Sequence, residues 1–442
     1  MTFGDLNLNA SLLNALDELG YQTPTTIQQR AFSVIMSGQD VCGIAQTGTG
    51  KTFAYLLPVL RMFKFSKEKH PTVLILVPTR ELVIQVVEAV KKLTTYMSVS
   101  VLGVYGGVNM NPQMEAVKEK LDILVATPGR LYDIILSGAL KVKSIKQLII
   151  DEVDEMLNLG FRTQLQNIMD LLPPRRQNLM FSATITDDVE QLIGIHFNAP
   201  VRIEAAPTGT PLENIDQSVY RVPNFNTKVN LLELLIRKDP TMTKTLIFAG
   251  TKQLADDLFE PLEKDFPDKT GIIHSNKEQN HRFNTVRRFQ AGELRFLIAT
   301  DIIARGLDIA EVTHVINFDT PDVPENYIHR IGRTGRADKK GISILFTKDA
   351  ETENLEKIEA LMNYVIPEQP LPEELVISDV LTEDEIPKVH MRNTLVKAPD
   401  RSDAGPAFHQ KKAKNLKTNQ KVSHKEKMMM KYGKPKKRKP KK

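Results

Sequence analysis

Short, wholly apolar runs recur along this chain, and nearly every one ends in a polar or glycine-bearing motif. Val41–Ile44 leads to Gly48-Thr49-Gly50-Lys51-Thr52, and Val73–Val77 to Pro78-Thr79-Arg80-Glu81-Leu82. Ile123–Ala126 leads to Thr127-Pro128-Gly129-Arg130, Leu148–Ile150 to Asp151-Glu152-Val153-Asp154, and Leu179–Phe181 to Ser182-Ala183-Thr184. A second set comprises Thr245–Phe248, Thr270–Ile273, Phe296–Ala299, His314–Asn317 and Ile342–Phe346. Runs this short and this apolar predict strands buried on both faces, hence parallel sheets covered by the helix-length amphipathic segments between them. In open parallel sheets ligands gather at the carboxyl ends of the strands, so one edge of each sheet is expected to carry the chemistry.

The strands fall into two halves separated by a Pro/Gly/Thr stretch around Pro207–Pro211, which reads as an interdomain linker. The expected class is α/β, with two tandem parallel-sheet domains, and 442 residues suit two cores and a tail. The expected boundaries are an N-terminal segment 1–29, a first domain 30–205, a linker 206–213 and a second domain 214–365. A Pro-rich and acidic linker 366–396 follows, then a disordered Lys-rich tail 397–442. From Pro367 onward the composition offers no packed core.

The net charge of +5 conceals an asymmetry. Residues 397–442 carry 17 Lys and Arg against 3 Asp and Glu, a net of +14, which leaves −9 on residues 1–396. A polyanion is the expected partner of such a tail, through counterion release. Cys42 is the sole cysteine, which excludes an intramolecular disulfide and a thiolate metal cluster and suits a reducing cytoplasm. The start, Met1-Thr2-Phe3-Gly4-Asp5, lacks a basic-then-apolar leader, and no apolar stretch approaches a membrane span. The expected location is therefore cytoplasmic, without a membrane partner.

Residues Ala45, Gln46, Thr47, Gly48, Thr49, Gly50, Lys51 and Thr52 follow the phosphate-loop pattern except that Ala45 stands where the first glycine would be. Backbone amides at Gly48–Lys51 would hold a β-phosphate at the start of a helix over Thr52–Phe63. Lys51 would reach the β- and γ-phosphates, and Thr52 would hold Mg²⁺. Asp151 and Glu152 lie at a strand tip, where Asp151 suits the metal and Glu152 suits orienting and deprotonating a water. An acid pair there could equally be a favourable first helical turn. The phosphate loop about a hundred residues earlier decides for the chemical reading.

The ordered series of motifs resembles the DEAD-box RNA helicase family of superfamily 2, over roughly residues 3–346. The resemblance begins with Phe3 and Gly20-Tyr21-Gln22-Thr23-Pro24-Thr25-Thr26-Ile27-Gln28, which is similar to the family's Q motif. It implies two RecA-like domains, ATP and Mg²⁺ as cofactors, Gln28 reading the adenine edge and Tyr21 stacking on the base. It implies further that Arg333 and Arg336, in His329-Arg330-Ile331-Gly332-Arg333-Thr334-Gly335-Arg336, act as arginine fingers together with catalytic Lys51 and Glu152. Asp308 would bond the ribose. Asp154, Ser182, Thr184 and His329 would couple nucleotide state to the nucleic-acid groove. Arg80, Gly107, Thr127, Arg130, Arg282 and Thr300 would contact RNA, mostly its sugar–phosphate backbone and so largely without sequence preference.

The tetrad reads D-E-V-D, with Val153 in place of the alanine of the family name. Two added methyl groups cost about 1–3 kcal/mol if neighbours do not adjust, and adjustment is expected at a strand end. The resemblance implies an RNA-stimulated ATPase that opens structured or duplex RNA locally and remodels RNA–protein complexes. An ATP-gated RNA clamp that rarely unwinds, and a DNA-directed ATPase of the same superfamily, stay open as alternatives. A short core with a basic extension is similar to bacterial RhlE-like members; protein partners, ribosomal or of RNA decay, are not specified.

Overall fold

The computed structural model describes residues 1–46, 48–65, 69–204, 214–301, 312–335, 340–382, 385–386 and 423–433. Seven parallel strands form the first sheet: β1 (Val41–Ile44), β2 (Val73–Leu76), β3 (Val101–Val104), β4 (Ile123–Ala126), β5 (Gln147–Asp151), β6 (Gln177–Ser182) and β7 (Val201–Glu204). Their spatial order is β3-β4-β2-β5-β6-β1-β7. The second sheet contains β8 (Ile215–Arg221), β9 (Thr245–Phe248), β10 (Thr270–Ile273), β11 (Phe296–Ala299), β12 (His314–Asn317) and β13 (Gly341–Thr347), in the order β10-β11-β9-β12-β13-β8.

Strand periodicity explains why the central runs are apolar throughout. In β2, Val73 and Ile75 join the core on one face of the sheet, whereas Leu74 and Leu76 join the core on the other. Leu179 and Phe181 against Met180 in β6 repeat the division. Helices Thr26–Met36, Lys51–Met62 and Arg80–Leu93 cover the first face; Pro128–Leu136, Arg162–Leu171 and Asp187–His196 cover the second.

The sequence reading locates the interior strands and the fully buried edge strand β10, and misses β3, β7 and β8, the sheet edges that are partly exposed. Two of these are covered incompletely and carry a mixed sequence: Val-Arg-Ile-Glu in β7, Ile-Asp-Gln-Ser-Val-Tyr-Arg in β8. The expected helix Thr52–Phe63 is Lys51–Met62.

The change of composition at Pro367 does not end the packed part of the chain. Val219 donates its N–H to the Pro367 carbonyl and accepts from the N–H of Gln369, so the segment adds a rung to edge strand β8. Ile366 is buried, and Leu371 and Leu375 pack on the second lobe's core. Along helix Phe225–Lys238, the Asn226 and Asn230 side-chain amides, with that of N-cap Asn224, donate to the carbonyls of Val380, Val376 and Ser378. The expectation of an unpacked linker from 366 is thus corrected as far as Ile386: backbone hydrogen bonds to these asparagines secure a segment too poor in apolar residues to form a core of its own.

Met1–Ile386 forms one compact unit holding both sheets, and Pro387–Lys442 a separate one. In the latter, Ser423 caps helix His424–Tyr432 through a capping box with Glu426. Its Met428, Met429 and Met430 are exposed, so this helix builds no core. The expected interdomain linker 206–213 lies outside the described residues. No helix among the described residues is long and apolar enough to cross a membrane.

Candidate active site and nucleic-acid interface

The loop after β1 turns into helix Lys51–Met62 through Gly50, whose φ of +88° is open to glycine at low cost. A Cβ at Gly50 would also lie 2.4 Å from the Gln28 amide nitrogen. That amide donates to the Gly50 carbonyl at 3.1 Å, and its oxygen accepts from the Thr25 N–H at 3.0 Å. Gln28 is thereby buried and fixed to the phosphate loop, while Tyr21 is half exposed and meets Phe53 edge-on with centroids 5.2 Å apart. Ala45 donates its N–H to Ser182, and Thr49 donates to the Gln46 carbonyl. Thr47 lies outside the described residues.

Lys51 is buried, and its ammonium has no hydrogen-bond partner among the described residues. An unpartnered buried cation is costly unless an anion completes it, and the glycine-bearing helix start beside it is suited to a phosphate. Asp151, at the tip of β5, accepts from the Glu152 N–H at 3.0 Å and from the Tyr55 hydroxyl at 3.0 Å. Burial pushes its carboxyl above the usual carboxylate range, with Lys51 opposing and Glu152 adding to the rise. Glu152 has φ 53° and ψ 52°, a left-handed conformation that costs a side-chain-bearing residue about 1–2 kcal/mol. Strain of this kind clusters where geometry serves chemistry. Val153 follows as the first residue of helix Val153–Asn158, fully buried in the core that also holds Met156 and Met180.

The four expected coupling residues come together. One oxygen of Asp154 accepts from the Ala183 N–H (3.2 Å), the Thr184 N–H (3.0 Å) and the Thr184 hydroxyl (2.9 Å). The same oxygen lies 3.5 Å from His329 Nε2 of the second lobe, and the Ser182 hydroxyl donates to the Thr184 carbonyl. Burial opposes ionisation of Asp154, but His329, Lys51 and Thr184 outweigh it and hold the carboxyl well below the usual range. Arg333 is buried in the turn after helix Pro324–Ile331. Asp308 and Arg336 lie outside the described residues.

On the other front Arg80, Gly107, Arg130 and Arg282 converge, with Glu81 at the centre. Glu81 Oε1 is 3.1 Å from Arg80 Nε and 3.0 Å from Arg282 Nη1, and Arg80 also donates to Gln279 Oε1 at 3.2 Å. Arg282 and Gln279 belong to the second lobe, so this ion pair crosses between the lobes. Gly107, at φ +80°, sits against Arg80, since a Cβ there would come within 3.2 Å of its guanidinium. Arg130 reaches the same loop by donating to the Val108 carbonyl. Thr127 occupies the N-cap position of helix Pro128–Leu136 without a side-chain cap bond. Thr300 follows β11 at its carboxyl end, where its N–H donates to the Ile273 carbonyl at 3.4 Å.

Sequence reasoning overlooked Tyr55, Glu81 and Arg330. Glu81 and Arg330 adjoin Arg80 and His329, and that adjacency was their only signal. Arg330 is fully buried and holds Asp301 through two bonds of 2.6 and 2.8 Å, with Asp319 on its other side. Its planar fork suits such a bidentate partner.

Fold and site together define a two-lobed phosphate-loop protein of RecA-like architecture. The chain matches the family model for DEAD/DEAH box helicases over residues 25–192 and that for the helicase conserved C-terminal domain over 227–338. It is 39% identical over 358 residues to the DEAD-box ATP-dependent RNA helicase CshA of Bacillus cereus, covering 81% of this chain and 67% of CshA. It is 35% identical over 400 residues to the ATP-dependent RNA helicase RhlB of Shewanella baltica, covering 89% of this chain and 91% of RhlB. Among solved structures, Mss116p bound to ssRNA and AMP-PNP aligns with TM-score 0.77 and 30% identity, covering 85% of this chain and 80% of that one. A DEAD box protein of Methanococcus jannaschii aligns with TM-score 0.53 and 34% identity, covering 84% and 99%. The chain belongs to the DEAD-box family of ATP-dependent RNA helicases.

Proposed function

We infer that the protein hydrolyses ATP in response to RNA and uses the cycle to open RNA duplexes locally and to remodel RNA–protein complexes. The observation that carries this reading is the buried, unpartnered Lys51 ammonium at a glycine-bearing helix start, within one compact unit with the Glu81–Arg282 bridge. Lys51 would neutralise the β- and γ-phosphates. Glu152 would hold and deprotonate the attacking water, its left-handed backbone aiming the carboxylate. Arg333 and Arg336 would stabilise charge on the transferred phosphoryl group, a contribution of about 10³–10⁵ in rate for such fingers. Gln28 and Tyr21 would recognise adenine, and Asp308 the ribose.

The donor set also fits magnesium. Thr52, in the first turn of helix Lys51–Met62, and Asp151, held by the Tyr55 hydroxyl, supply the oxygen ligands that a hard cation prefers. The ion would spread the negative charge of the phosphate oxygens. Asp154, Ser182, Thr184 and His329 would report nucleotide state to the RNA face, where Arg80, Gly107, Thr127, Arg130, Arg282 and Thr300 would hold the sugar–phosphate backbone.

Closure is a population shift: both ligands must bind the closed lobes better than separated ones, and by linkage each tightens the other equally. The alignment with RNA- and nucleotide-bound Mss116p, at TM-score 0.77 against 0.53 for the Methanococcus protein, supports reading this lobe arrangement as the closed one. We place the protein in the cytoplasm, its basic tail tethering it to RNA. The test is phosphate release measured alone, with RNA and with DNA, for the wild type and Glu152→Gln. Stimulation by RNA that Glu152→Gln abolishes is the expected result; equal stimulation by DNA, or full activity of Glu152→Gln, would overturn the reading.

A further inference from the structure

Tyr55 sits one turn into helix Lys51–Met62 and is fully buried, packed against Phe181 with ring centroids 5.3 Å apart. Packing alone would be served equally by phenylalanine. The hydroxyl, however, has a specific partner. It lies 3.0 Å from Asp151 Oδ2. Asp151 is one of the two residues assigned above to the magnesium ion.

The hydrogen-bond inventory fixes the direction of this bond. A buried carboxylate only accepts, so the Tyr55 O–H donates to Asp151. Asp151 is held from two sides, Oδ2 by Tyr55 and Oδ1 by the Glu152 N–H at 3.0 Å. The carboxylate is therefore locked in part by a phenol rooted in the helix that also carries Lys51 and Thr52.

We propose that Tyr55 is a positioning residue for the divalent cation, its hydroxyl orienting Asp151 for metal binding without itself touching the ion. Outer partners that orient metal ligands contribute about 10–100-fold in metal affinity. The proposal rests on the assignment of magnesium to Thr52 and Asp151, and its test separates the two claims.

The experiment measures ADP affinity in Mg²⁺ and in EDTA with a fluorescent ADP analogue, for the wild type and Tyr55→Phe. The readout is binding, so it does not depend on turnover. The wild type should gain affinity on adding Mg²⁺; a wild type that binds ADP equally with and without the metal would refute the magnesium assignment itself. Tyr55→Phe should bind ADP in EDTA as the wild type does, and lose about tenfold or more of the magnesium-dependent gain. An undiminished gain would overturn the proposal and leave the hydroxyl a structural group. Loss of ADP binding in EDTA as well would assign Tyr55 to the fold and would equally overturn it. With Asp151→Asn in place, Tyr55→Phe should change the remaining gain by less than about twofold, because its effect runs through that carboxylate. Additive losses would contradict the mechanism.

Discussion

Replacing Glu81 by alanine should break the communication between ATP and RNA while leaving each lobe folded. Glu81 and Arg282 are 6% and 2% exposed at their side chains and 3.0 Å apart, so the pair that joins the lobes is desolvated. Removing one partner of a buried pair costs about 3–5 kcal/mol, because the other charge stays buried without compensation. The low end applies here, since Arg80 retains its bond to Gln279 and is 24% exposed. The penalty arises only where the lobes meet: with the lobes apart, Arg282 loses the cover of Glu81 and returns to water. A penalty of about 3 kcal/mol on the closed form alone corresponds to about a hundredfold in closure. An RNA phosphate that takes over Arg282 could recover about a third of it, which still leaves about thirtyfold.

The assay is fluorescence anisotropy of a labelled oligoribonucleotide, titrated with and without a non-hydrolysable ATP analogue. The ratio of the two affinities is the coupling, and it cancels any direct repulsion between Glu81 and phosphate. Wild-type coupling should fall about thirtyfold or more in Glu81→Ala, while the melting temperature stays within a few degrees. In a double-mutant cycle with Arg282→Gln the second substitution should add little. A coupling ratio unchanged within about threefold would refute the reasoning, since a desolvated pair that spans the lobes cannot be removed without cost to their union.

Three further outcomes are expected. Asp154→Asn should destabilise the fold by an amount that does not shrink between pH 7 and 5 in denaturant titrations. A carboxyl held below its ordinary value contributes fully above the unfolded value of 3.8, and the difference should shrink only as acid drives the pH below it; a difference that already fades between pH 7 and 5 would contradict this. Val153→Ala should lower stability by about 1–3 kcal/mol, because the side chain is fully buried, and should raise ATP turnover by less than about tenfold; a larger rise would mark the natural site as impaired. Truncation after Val396 should weaken RNA binding and flatten its salt dependence with ATP hydrolysis intact, whereas truncation after Val365 should also lower the melting temperature, because it removes the strap held by Asn224, Asn226 and Asn230.

How far the sequence carried depended on what each residue is paired with. β1, β4, β9, β10, β11 and β12 were legible to the residue because strands covered by helices on both faces must be apolar throughout. β3, β7 and β8 were not, since each is a sheet edge left partly exposed, where β7 and β8 tolerate Arg202, Glu204 or Asp216, whereas the edge strand β10 is buried throughout. The strap 366–386 was missed for a related reason. Its attachment is carried by asparagine side chains on another helix, a long-range complement that its own composition does not reveal. In the site, residues that would touch a ligand were found through their motifs. Tyr55, Glu81 and Arg330, which act by holding those residues, were invisible because a tyrosine among leucines, or an acid after an arginine, has many ordinary explanations.

The two fronts of the molecule differ in what assembles their cations, and this orders the expected cycle. Lys51 has no hydrogen-bond partner among the described residues and feels the charges of Asp151 and Asp154, so a triphosphate meets an under-satisfied cation within one lobe. Arg80 and Arg282 instead share Glu81, so RNA meets arginines that must exchange one anionic partner for another. Such exchange returns little net energy when the lobes are apart, but the Glu81 bridge itself forms only between lobes that have come together. RNA binding therefore gains most once closure has assembled Arg80, Arg282 and Gln279 on one surface. It follows that the nucleotide analogue should steepen the salt dependence of RNA affinity, by adding Arg282 to the cations that meet phosphate. Parallel salt slopes with and without the analogue would show that the second lobe's arginine never reaches the RNA backbone.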